Sequence, residues 1–396
     1  MEHFLDRRSF LLTAAAAQSM RGANDRIRTG IIGAGGRGRY LTGQFKEIGA
    51  EMAAVCDIYE PNLQAGLKEA NTGAKPFRDY RKLLDDKSID AVIVATPDHW
   101  HARMVIDAVE AGKDVYCEKP MAHTIPETYA IVEAVRRTRR VVQVGMQRRS
   151  SELFLEGKKI VDSGQLGEIR LVSSAWYNYT PAFRKHDLAG DLNWKQWLGS
   201  TPERPLDPAR FFNWYYFYDY SGGMLVGQGA HIIDCIQWYM NSKMPLAVTC
   251  IGGKVNLPGA EVPETGVIAI EYPENYFATF TLGYKAMQYS MFNDQLKQFH
   301  GNKARLDVGR EWYSLYPEQK TAIDMKASVE NKKPGSFATA APAHIRNFLE
   351  CIRTRKDPNA PVEAGQATAI VLAMAMDSLR SGRRLKWNGA ARKAEG

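Results

Sequence analysis

Three glycines and an aspartate have the spacing that is typical of a dinucleotide-binding turn. Gly33, Gly35 and Gly38 form the pattern GxGxxG, and Asp57 follows 19 residues after the last of them. The first glycine of such a pattern allows a tight turn, the second lets the backbone approach a pyrophosphate, and the third lets a helix pack close to a strand. A carboxylate at Asp57 would accept hydrogen bonds from ribose hydroxyls and would repel a 2′-phosphate. These residues predict NAD as the cofactor.

Arg37 lies inside the same turn, next to Gly36. Its guanidinium group could reach a phosphate, so the sequence leaves NADP possible as the cofactor. A glycine-rich turn in some other α/β protein is the alternative interpretation of the pattern. The elements on either side of the turn argue against that alternative. A GxGxxG pattern indicates dinucleotide binding when a strand precedes it and a helix follows it, as the sequence predicts here.

Lys119 is the first candidate for the chemistry itself. It follows a short apolar run at residues 115–117 and lies between Glu118 and Pro120. Next to a nicotinamide, its ammonium group could stabilise the alkoxide that forms when a hydride leaves a carbinol carbon. Burial would lower its pKa and help it to act as a base. Glu118 could orient the lysine or the cofactor ribose, and a solvated loop lysine is the alternative.

The elements that must position these residues alternate between strands and helices. Helical patterns separate apolar runs typical of strands, which occupy residues 27–32, 52–56, 91–95, 114–117 and 141–144. Parallel strands covered on both faces have this composition, and open sheets of this kind bind ligands at their carboxyl edge. Polar residues follow the last three strands, at 96–101, 118–120 and 145–148. Residues 25–148 are therefore predicted to form a Rossmann domain, a doubly wound parallel sheet in an α/β fold.

Residues 149–386 show a different pattern, which predicts a second α/β domain. Period-two alternation at residues 247–255, 266–271 and 276–283 is typical of an antiparallel sheet with one wetter face. We expect an open, mostly antiparallel sheet there, with a tail at 387–396. Many aromatic residues lie between positions 176 and 220. Trp176 and Tyr218 are candidates for contacts with a sugar ring, and the other aromatic residues are expected in the core between the domains.

Five segments of the chain resemble the Gfo/Idh/MocA family, the relatives of glucose–fructose oxidoreductase and inositol dehydrogenase. They are GAGGRG at 33–38, Asp57, TPDHWH at 96–101, CEKP at 117–120 and GGMLVGQGAH at 222–231. The resemblance implies a Rossmann domain followed by an α/β domain whose open sheet often mediates oligomer contacts. It also implies NAD(P)-linked oxidation or reduction of a sugar, cyclitol or related hydroxyl, and a homo-oligomer, either a dimer or a tetramer, is expected.

His231 matches the histidine of the family's second-domain motif. A neutral imidazole there can take the hydroxyl proton while a hydride goes to the nicotinamide. Asp234, one helical turn further on, could hold its tautomer or could be an unrelated helix residue. Many family members place an aspartate four residues before this histidine, where this chain has Gly227. The candidates to replace it, among which spacing does not choose, are Gln228, Asp234, His186, Asp187 and Tyr218.

The predicted site residues fall into three groups. Lys119 and His231 are the predicted catalytic pair. The residues expected to contact the cofactor are Gly33, Gly35, Gly36, Arg37, Gly38, Asp57, Thr96, Pro97, His101, Glu118, Lys119 and Gln147. The residues expected to contact the substrate are Arg148, Trp176, Tyr218, Gln228, His231 and Asp234. No metal site is predicted, because His99 and His101 have no third ligand at a useful spacing.

The first 24 residues have the order of an export signal. The pair Arg7-Arg8 precedes an apolar run at residues 10–17, and small residues follow. This order resembles the bacterial twin-arginine signal, which exports proteins that have already folded. We therefore expect a periplasmic or otherwise exported protein. If these residues are instead an amphipathic helix of the mature chain, a cytoplasmic protein is expected.

Composition excludes several classes of protein. The 396 residues are 45% apolar and 24% charged, with a net charge of +8, which is typical of a globular protein and not of a disordered one. No apolar stretch reaches the length of about 18 residues that spans a bilayer. The basic tract at 136–140 comes without a nucleic-acid-binding motif, so neither nucleic acid nor a membrane span is expected. Five cysteines without CxxC spacing are expected to be buried small residues.

These features predict an exported NAD-dependent oxidoreductase that moves a hydride between nicotinamide and a hydroxyl or keto carbon of a sugar, glycoside or cyclitol. One alternative is redox-neutral glycoside cleavage, in which a tightly bound cofactor oxidises a ring hydroxyl, the aglycone leaves and the cofactor is restored. A second alternative, suggested by Gly227, is a protein that binds a dinucleotide without catalysing a reaction.

Overall fold

The computed structural model describes residues 26–179, 181–184, 187–284, 294–318 and 326–396. The export signal predicted for residues 1–24 and the candidate His186 lie outside the described residues. The described part of the chain contains two sheets, and the site lies where they meet.

The first sheet is parallel and follows the glycine-rich segment. Its strands are β1 (Arg28–Ile32), β2 (Glu51–Cys56), β3 (Lys75–Phe77), β4 (Ala91–Val94), β5 (Asp114–Cys117) and β6 (Val142–Val144). Their order is β3-β2-β1-β4-β5-β6, and each described neighbour pair is parallel. The order reverses between β1 and β4, where open α/β sheets bind their ligands. The predicted doubly wound parallel sheet is confirmed.

Helices cover both faces of this sheet, and its central strands are almost completely buried. β4 and β5 are buried at every position, as expected for strands with a helix on either side. The covering helices are α1 (Gly36–Glu47), α2 (Glu60–Glu69), α3 (Tyr80–Asp85), α4 (Asp98–Glu110) and α5 (Ile125–Thr138). Helix α5 begins at a capping box, in which Thr124 and Glu127 satisfy each other's backbone N–H groups.

The second sheet is large, open and mostly antiparallel, as predicted. Its strands are β7 (Ile169–Tyr179), β8 (Ala247–Gly252), β9 (Gly266–Tyr272), β10 (Tyr276–Tyr284), β11 (Lys297–Gly301), β12 (Ala304–Val308), β13 (Trp312–Pro317), β14 (Val329–Lys332), β15 (Leu385–Asn388) and β16 (Lys393–Glu395). Their order is β14-β13-β12-β11-β7-β10-β9-β8-β15-β16. Within the described residues, β7 and β10 form the parallel pair, and the other neighbours are antiparallel.

Helices pack on one face of the second sheet and leave the other face open. Strand β10 shows the alternation: Ala278, Phe280 and Leu282 are buried, whereas Phe277 is 49% exposed. The helices that follow α5 are α6 (Glu152–Asp162), α7 (Trp194–Leu198), α8 (Pro208–Phe212), α9 (Gly223–Tyr239), α10 (Ala340–Thr354) and α11 (Val362–Ser381). Helix α9 is buried on most sides and contributes to the core beneath this sheet.

The last two helices return to the first sheet and join the two domains. Phe348 of α10 packs edge-on against Phe45 and Tyr116, with ring centroids 6.1 and 5.8 Å apart. Gly365 of α11 lies so close to the first domain that a Cβ there would be 2.7 Å from the Met121 sulfur. Both helices help to close the core of the first domain, which no local sequence pattern predicts.

The carboxyl-terminal segment differs from the prediction. Residues 387–396 were expected to be a tail, yet they include β16, which pairs with β15 in the second sheet. Strands β13 and β14 also went unpredicted, since β13 is buried at four successive positions and β14 is mostly exposed, so neither alternates between apolar and polar residues. The five cysteines are all buried and free, as expected.

Candidate active site

The turn after β1 depends on glycine at positions that a larger residue could not occupy. Gly33 has a φ of +92°, and its N–H donates to the carbonyl of Cys56 at 2.9 Å. A Cβ on Gly38 would lie 1.9 Å from the carbonyl oxygen of Gly33, so only glycine lets α1 approach β1 this closely. A Cβ on Gly35 or Gly36 would meet nothing within 4 Å. The N-terminus of α1 is therefore open to an anion, and no side chain caps it.

Asp57 directly follows β2 and lies beside the glycine turn. Its carboxylate accepts hydrogen bonds from the N–H of Ala34 at 2.8 Å and from the N–H of Tyr59 at 2.9 Å. Burial raises the pKa of Asp57 to about 6, although these two hydrogen bonds act in the opposite direction. The carboxyl group is therefore mostly ionised at neutral pH, in the form that accepts hydrogen bonds from ribose hydroxyls.

A cleft of about 950 Å³ runs along this edge of the first sheet. Its first wall includes seven of the residues predicted to contact the cofactor, namely Gly33, Gly35, Gly36, Arg37, Asp57, Thr96 and Pro97. Its other wall comes from the second domain and includes Arg184, Asp187, Trp197, Trp214 and Tyr215. The sequence did not predict this second wall, because no local pattern links these residues to the glycine turn. Asp187 had been considered only as a replacement for the family aspartate.

Arg37 of the glycine turn is paired with Glu118, which follows β5. The Nε and Nη2 atoms of Arg37 lie 2.8 and 2.7 Å from Oε1 of Glu118. Burial alone would raise the pKa of Glu118, but the positive charges of Arg37 and Lys119 outweigh it and lower that pKa. The pair ties the turn to the segment that carries Lys119. The Arg37 side chain is 38% exposed and still lines the cleft.

Lys119 reaches from the first domain to the second. Its Nζ donates a hydrogen bond to the carbonyl of Gly227 in α9, at 2.9 Å. Burial lowers the pKa of Lys119, and the nearby charges of Glu118 and Asp98 partly oppose this effect. The ammonium group is thus fixed by a neutral carbonyl and not by a carboxylate, which leaves its charge available to a developing oxyanion.

His101 connects the ends of two neighbouring strands. Its Nδ1 lies 2.7 Å from the carbonyl oxygen of Pro120, and its Nε2 lies 2.9 Å from that of Thr96. The predicted contact of His101 with the cofactor would therefore have to use its ring face, because both nitrogens are engaged with the backbone. The residue fixes the segment after β4 relative to Lys119.

His231 lies on the same face of α9 as Gly227, one turn later. Its ring stacks on that of Trp176, with centroids 6.1 Å apart and planes 19° apart. Its Nδ1 is buried and has no hydrogen-bond partner among the described residues. Burial lowers the pKa of His231 well below its ordinary value, and the charges of Lys119 and Arg148 add to this effect. A neutral imidazole with a free nitrogen is the form that can accept a proton.

Arg148 and Lys297 form a buried basic cluster next to Trp176. The guanidinium carbon of Arg148 lies 5.2 Å from the centre of the Trp176 ring, and its Nη2 donates to Gln295. The Nζ of Lys297 donates to the carbonyls of Gln295 and Gly309. Within the described ranges, neither cation forms a salt bridge. Their positive charge helps to keep His231 neutral, and Lys297 was not predicted from the sequence.

Three other predicted residues, Gln147, Gln228 and Tyr218, lie outside the contacts described so far. Gln147, on a 3-10 turn after β6, has a buried Oε1 atom without a hydrogen-bond partner in the described part of the chain. Gln228 is half-buried beside Gly227 and approaches the sulfur of Met224. Tyr218 packs under the guanidinium group of Arg380 in α11. These three residues remain candidates for contacts with cofactor or substrate.

Asp234 requires a correction. Its carboxylate accepts a hydrogen bond from Nε of Arg149 at 2.8 Å, and both side chains are largely buried. Asp234 therefore neutralises Arg149 and does not satisfy the free Nδ1 of His231. The physical reason is that Arg149, in the segment after β6, pairs with this buried carboxylate and compensates its charge.

These residues fit a dinucleotide and place two proton-active side chains beside it. The glycine cradle at Gly38, the open N-terminus of α1 and the carboxylate of Asp57 supply what phosphates and a ribose require. Lys119 of the first domain reaches α9 of the second domain at Gly227, one helical turn before His231. The fold and the site define a two-domain protein whose first domain has the features of a dinucleotide-binding Rossmann domain.

Comparison with known proteins identifies the family. The model of an oxidoreductase family with an NAD-binding Rossmann fold matches residues 27–146, and that of the family's C-terminal alpha/beta domain matches residues 158–387. The chain belongs to the Gfo/Idh/MocA family of oxidoreductases, and its first domain is an NAD-binding Rossmann domain.

Individual relatives agree with this assignment. The chain is 35% identical over 184 residues to inositol 2-dehydrogenase of Salmonella paratyphi B, which is 43% of this chain and 54% of that protein. It is 25% identical to scyllo-inositol 2-dehydrogenase (NAD(+)) of Bacillus subtilis, over 84% of this chain and 88% of the other. The fold resembles that of the WlbA dehydrogenase from Bordetella pertussis in complex with NADH and UDP-GlcNAcA. That structure gives a TM-score of 0.70 and 20% identity and covers 92% of this chain and 99% of the other.

The match to the first of these relatives has a limited extent. The chain spans about half the length of that inositol dehydrogenase.

In the described ranges, no group of three or more His, Cys, Asp or Glu side chains could hold a metal ion. None of the described helices has the length and apolar character needed to cross a membrane.

Proposed function

We propose that this protein oxidises or reduces a carbinol carbon of a sugar, glycoside or cyclitol with NAD. The observation that carries the proposal is the meeting of Lys119 and His231 at one turn of α9, with Nζ of Lys119 2.9 Å from the Gly227 carbonyl oxygen. Bound NAD would supply a nicotinamide ring that accepts or returns the hydride. The residues of the chain then need to manage one proton and one developing negative charge.

The two side chains divide this work in the oxidation direction. The imidazole of His231 accepts the hydroxyl proton, because its low pKa keeps it neutral. The ammonium group of Lys119 faces the oxygen and stabilises its negative charge as the carbon loses its hydride. The hydroxyl compound loses one hydride and one proton and becomes a ketone or aldehyde. Reduction runs through the same residues in reverse.

The relatives support the substrate class. Two of them are named as inositol 2-dehydrogenases, one of them NAD(+)-linked. Vicinal hydroxyls on a six-membered ring are common to cyclitols and pyranoses. The stack of buried Trp176 on half-buried His231 is the flat aromatic surface proposed to lie beside such a ring. The identities are too low to carry over one particular substrate, so the class is proposed and not a single compound.

A panel assay tests this proposal. Purified protein with NAD is offered inositol isomers, free hexoses, uronates and simple glycosides, and the near-ultraviolet absorbance of reduced nicotinamide is followed. The proposal expects reduction with at least one polyol of the panel and loss of that signal in Lys119→Met. A non-catalytic role would be supported if the protein bound NAD but neither oxidised any polyol of the panel nor reduced any corresponding carbonyl compound.

The redox-neutral cleavage of a glycoside is the second candidate. The observation that favours it is the missing side chain at Gly227, where a Cβ would meet nothing within 4 Å. The space beside Lys119 and His231 could hold an aglycone that an aspartate would displace. Release of an aglycone from a chromogenic glycoside without net accumulation of reduced nicotinamide would distinguish this reaction from simple oxidation.

Export is also part of the proposal, and it rests on the sequence pair Arg7-Arg8. A signal that handles folded proteins suits a protein that must take up its dinucleotide in the cytoplasm. Fractionation of a bacterial host that carries a twin-arginine pathway would test it. The wild-type chain is expected outside the cytoplasm, and the variant with Arg7→Lys and Arg8→Lys is expected inside it.

A homo-oligomer is proposed from the open face of the second sheet. Ile251 is 66% exposed and Phe277 is 49% exposed on neighbouring parts of that face. Large apolar side chains in such a position favour association of two copies. Light scattering after size exclusion would test this proposal, and a monomer at micromolar concentration would refute it.

A further inference from the structure

One segment of the second domain crosses to the first domain and forms a wall of the cofactor cleft. We call residues 187–216 the strap. It contributes Trp197, Trp214 and Tyr215 to the lining of the cleft, opposite Asp57 and the glycine turn. Since Asp57 marks the position of a ribose, the strap faces the adenosine half of the site.

Hydrogen bonds anchor the start of the strap to the segment after β2. The N–H of Glu60 donates to the carbonyl of Asp191 at 3.0 Å, and the N–H of Ala189 donates to the hydroxyl of Tyr59 at 3.1 Å. Arg78 adds a link, with one Nη on Glu60 at 2.6 Å and the other on the Asp191 carboxylate at 2.8 Å. This end of the strap is therefore attached directly beside Asp57.

The middle of the strap is anchored to the start of α4. The indole N–H of Trp100 donates to the carbonyl of Trp197 at 2.7 Å, and Nε2 of His99 lies 3.0 Å from the same oxygen. The Trp197 ring packs edge-on against Tyr220 at 4.6 Å, and Tyr59 packs against Phe211 at 5.1 Å. A buried aromatic cluster thus holds the strap against both segments that flank the cleft.

We propose that the strap retains NAD by closing the adenosine side of the cleft, so that the dinucleotide stays bound between turnovers. A ligand that contacts both walls of the cleft must lose its contacts with the strap before it leaves, and the anchors at Asp191 and Trp197 hold that wall in place. The aromatic rings of Trp214 and Tyr215 provide the surfaces on which a base or ribose would pack. This inference rests on the NAD-dependent function proposed above, which it deepens by assigning the cofactor wall to the second domain.

Release of the cofactor can be measured without any substrate. Protein loaded with NAD is diluted into an external dehydrogenase that reduces free NAD, and the rate of trapping gives the dissociation rate constant. Trp214→Ala and Tyr215→Ala change the wall, and Arg78→Gln loosens an anchor without touching the wall. Trp387→Ala, a half-buried tryptophan in β15 outside the cleft lining, is the matched control. Thermal unfolding of each variant reports whether it is folded.

The strap predicts slow release from the wild type and from Trp387→Ala. Release is expected to be about tenfold faster or more in the wall variants, because differences in affinity within one site appear mainly in dissociation. A smaller acceleration is expected in Arg78→Gln. Release that is equally fast in all five proteins would overturn the proposal, as would acceleration in the wall variants with none in Arg78→Gln.

The outcome is separable from that of the proposed function. If no polyol reduces bound NAD, the proposed reaction fails, while the release rates still decide the role of the strap. If polyols are oxidised but NAD exchanges rapidly in the wild type, the reaction stands and the strap is merely a structural segment.

Discussion

Lys119 of the first domain donates a hydrogen bond to the backbone carbonyl of Gly227 in the second, over 2.9 Å. The two residues are 108 positions apart in the chain, and their contact fixes the reactive edge of the Rossmann sheet relative to helix α9. A carbonyl holds the ammonium group in place without neutralising its charge. Since His231 lies one turn further along α9, this single contact also sets the distance between the two proposed catalytic side chains.

Replacing Lys119 by methionine should remove activity and leave the cofactor bound. The ammonium group is proposed to stabilise the developing alkoxide, and loss of one such charged donor costs a factor of about 10²–10³ in kcat. NAD affinity, measured by fluorescence titration, should change little. Lys87→Met, at an exposed position of the same domain, is the control and should behave as wild type. Equal activity in both variants would rule out the proposed role.

His231→Asn tests the proton acceptor and has a distinct pH signature. The wild-type imidazole should remain neutral when the pH falls to 6.5 and below, because burial lowers the pKa of His231 well below its ordinary value of 6.5. The oxidation rate should therefore show no acid limb near pH 6.5. The variant should lose about 10²–10⁴ in kcat. An acid limb near pH 6.5 that the variant abolishes would mean that His231 titrates normally and that our description of its environment is wrong.

Asp57→Asn should weaken NAD binding while stabilising the empty protein. The pKa of Asp57, about 6, lies above the ordinary value of 3.8, so its protonated form is favoured in the folded state. This preference for the protonated form stabilises the folded state fully below about pH 4, and the stabilisation is lost as the pH rises through 6. The variant does not ionise, so it should unfold at a higher temperature than wild type at pH 8, and this difference should vanish near pH 4.

The same variant also tests the ribose contact. Loss of a charged acceptor should raise the Kd for NAD by about tenfold to a hundredfold at pH 8. For wild type, the affinity should fall as pH drops below 6, where the carboxylate becomes protonated. An unchanged Kd at pH 8 would show that Asp57 does not touch the cofactor.

Two glycines of helix α1 form a matched pair for the turn. A Cβ on Gly38 would lie 1.9 Å from the Gly33 carbonyl oxygen, whereas one on Gly43 would meet nothing within 4 Å. Gly38→Ala should cost about 1–3 kcal/mol or more of stability and displace the phosphate cradle. Gly43→Ala should stabilise the helix by about 0.5–1 kcal/mol. Chemical denaturation measures both, and similar effects of the two changes would contradict the geometry of the turn.

Gly227→Asp should narrow the substrate range. An aspartate there fits into open space and would lie beside Lys119 and His231 on the same face of α9. Its negative charge should raise the pKa of both groups, and its volume should exclude bulky substituents. Activity on glycosides should fall by about tenfold or more while free sugars or cyclitols are retained, since a poorly fitting group costs about 1–3 kcal/mol. Gly227→Ala separates the effect of volume from that of charge.

The sequence alone was sufficient to predict those parts of the site that depend on local patterns. The glycine turn, Asp57, and the polar residues after β4 and β5 were all predicted, because strand order in a parallel sheet brings carboxyl ends to one edge. Trp176 and Arg148 were also predicted near His231, and the structure brings these three together.

Contacts between distant segments could not be predicted in the same way. The pairing of Arg37 with Glu118 joins residues 81 positions apart, and that of Arg149 with Asp234 joins residues 85 apart. No periodicity encodes such pairs, which depend on how the domains dock. The strap is a further example, because its aromatic residues have the composition of an ordinary core. The signal that could have found it is the density of tryptophan and tyrosine in a segment without regular alternation.

A single turnover on loaded protein tests the central claim most directly. Protein saturated with NAD is mixed with each member of the polyol panel, and the appearance of reduced nicotinamide is followed in the wild type, Lys119→Met and His231→Asn. We predict rapid reduction in the wild type with at least one sugar, glycoside or cyclitol, and reduction slowed by about 10² or more in both variants. Reduction at the wild-type rate in either variant would contradict the assignment of the catalytic pair.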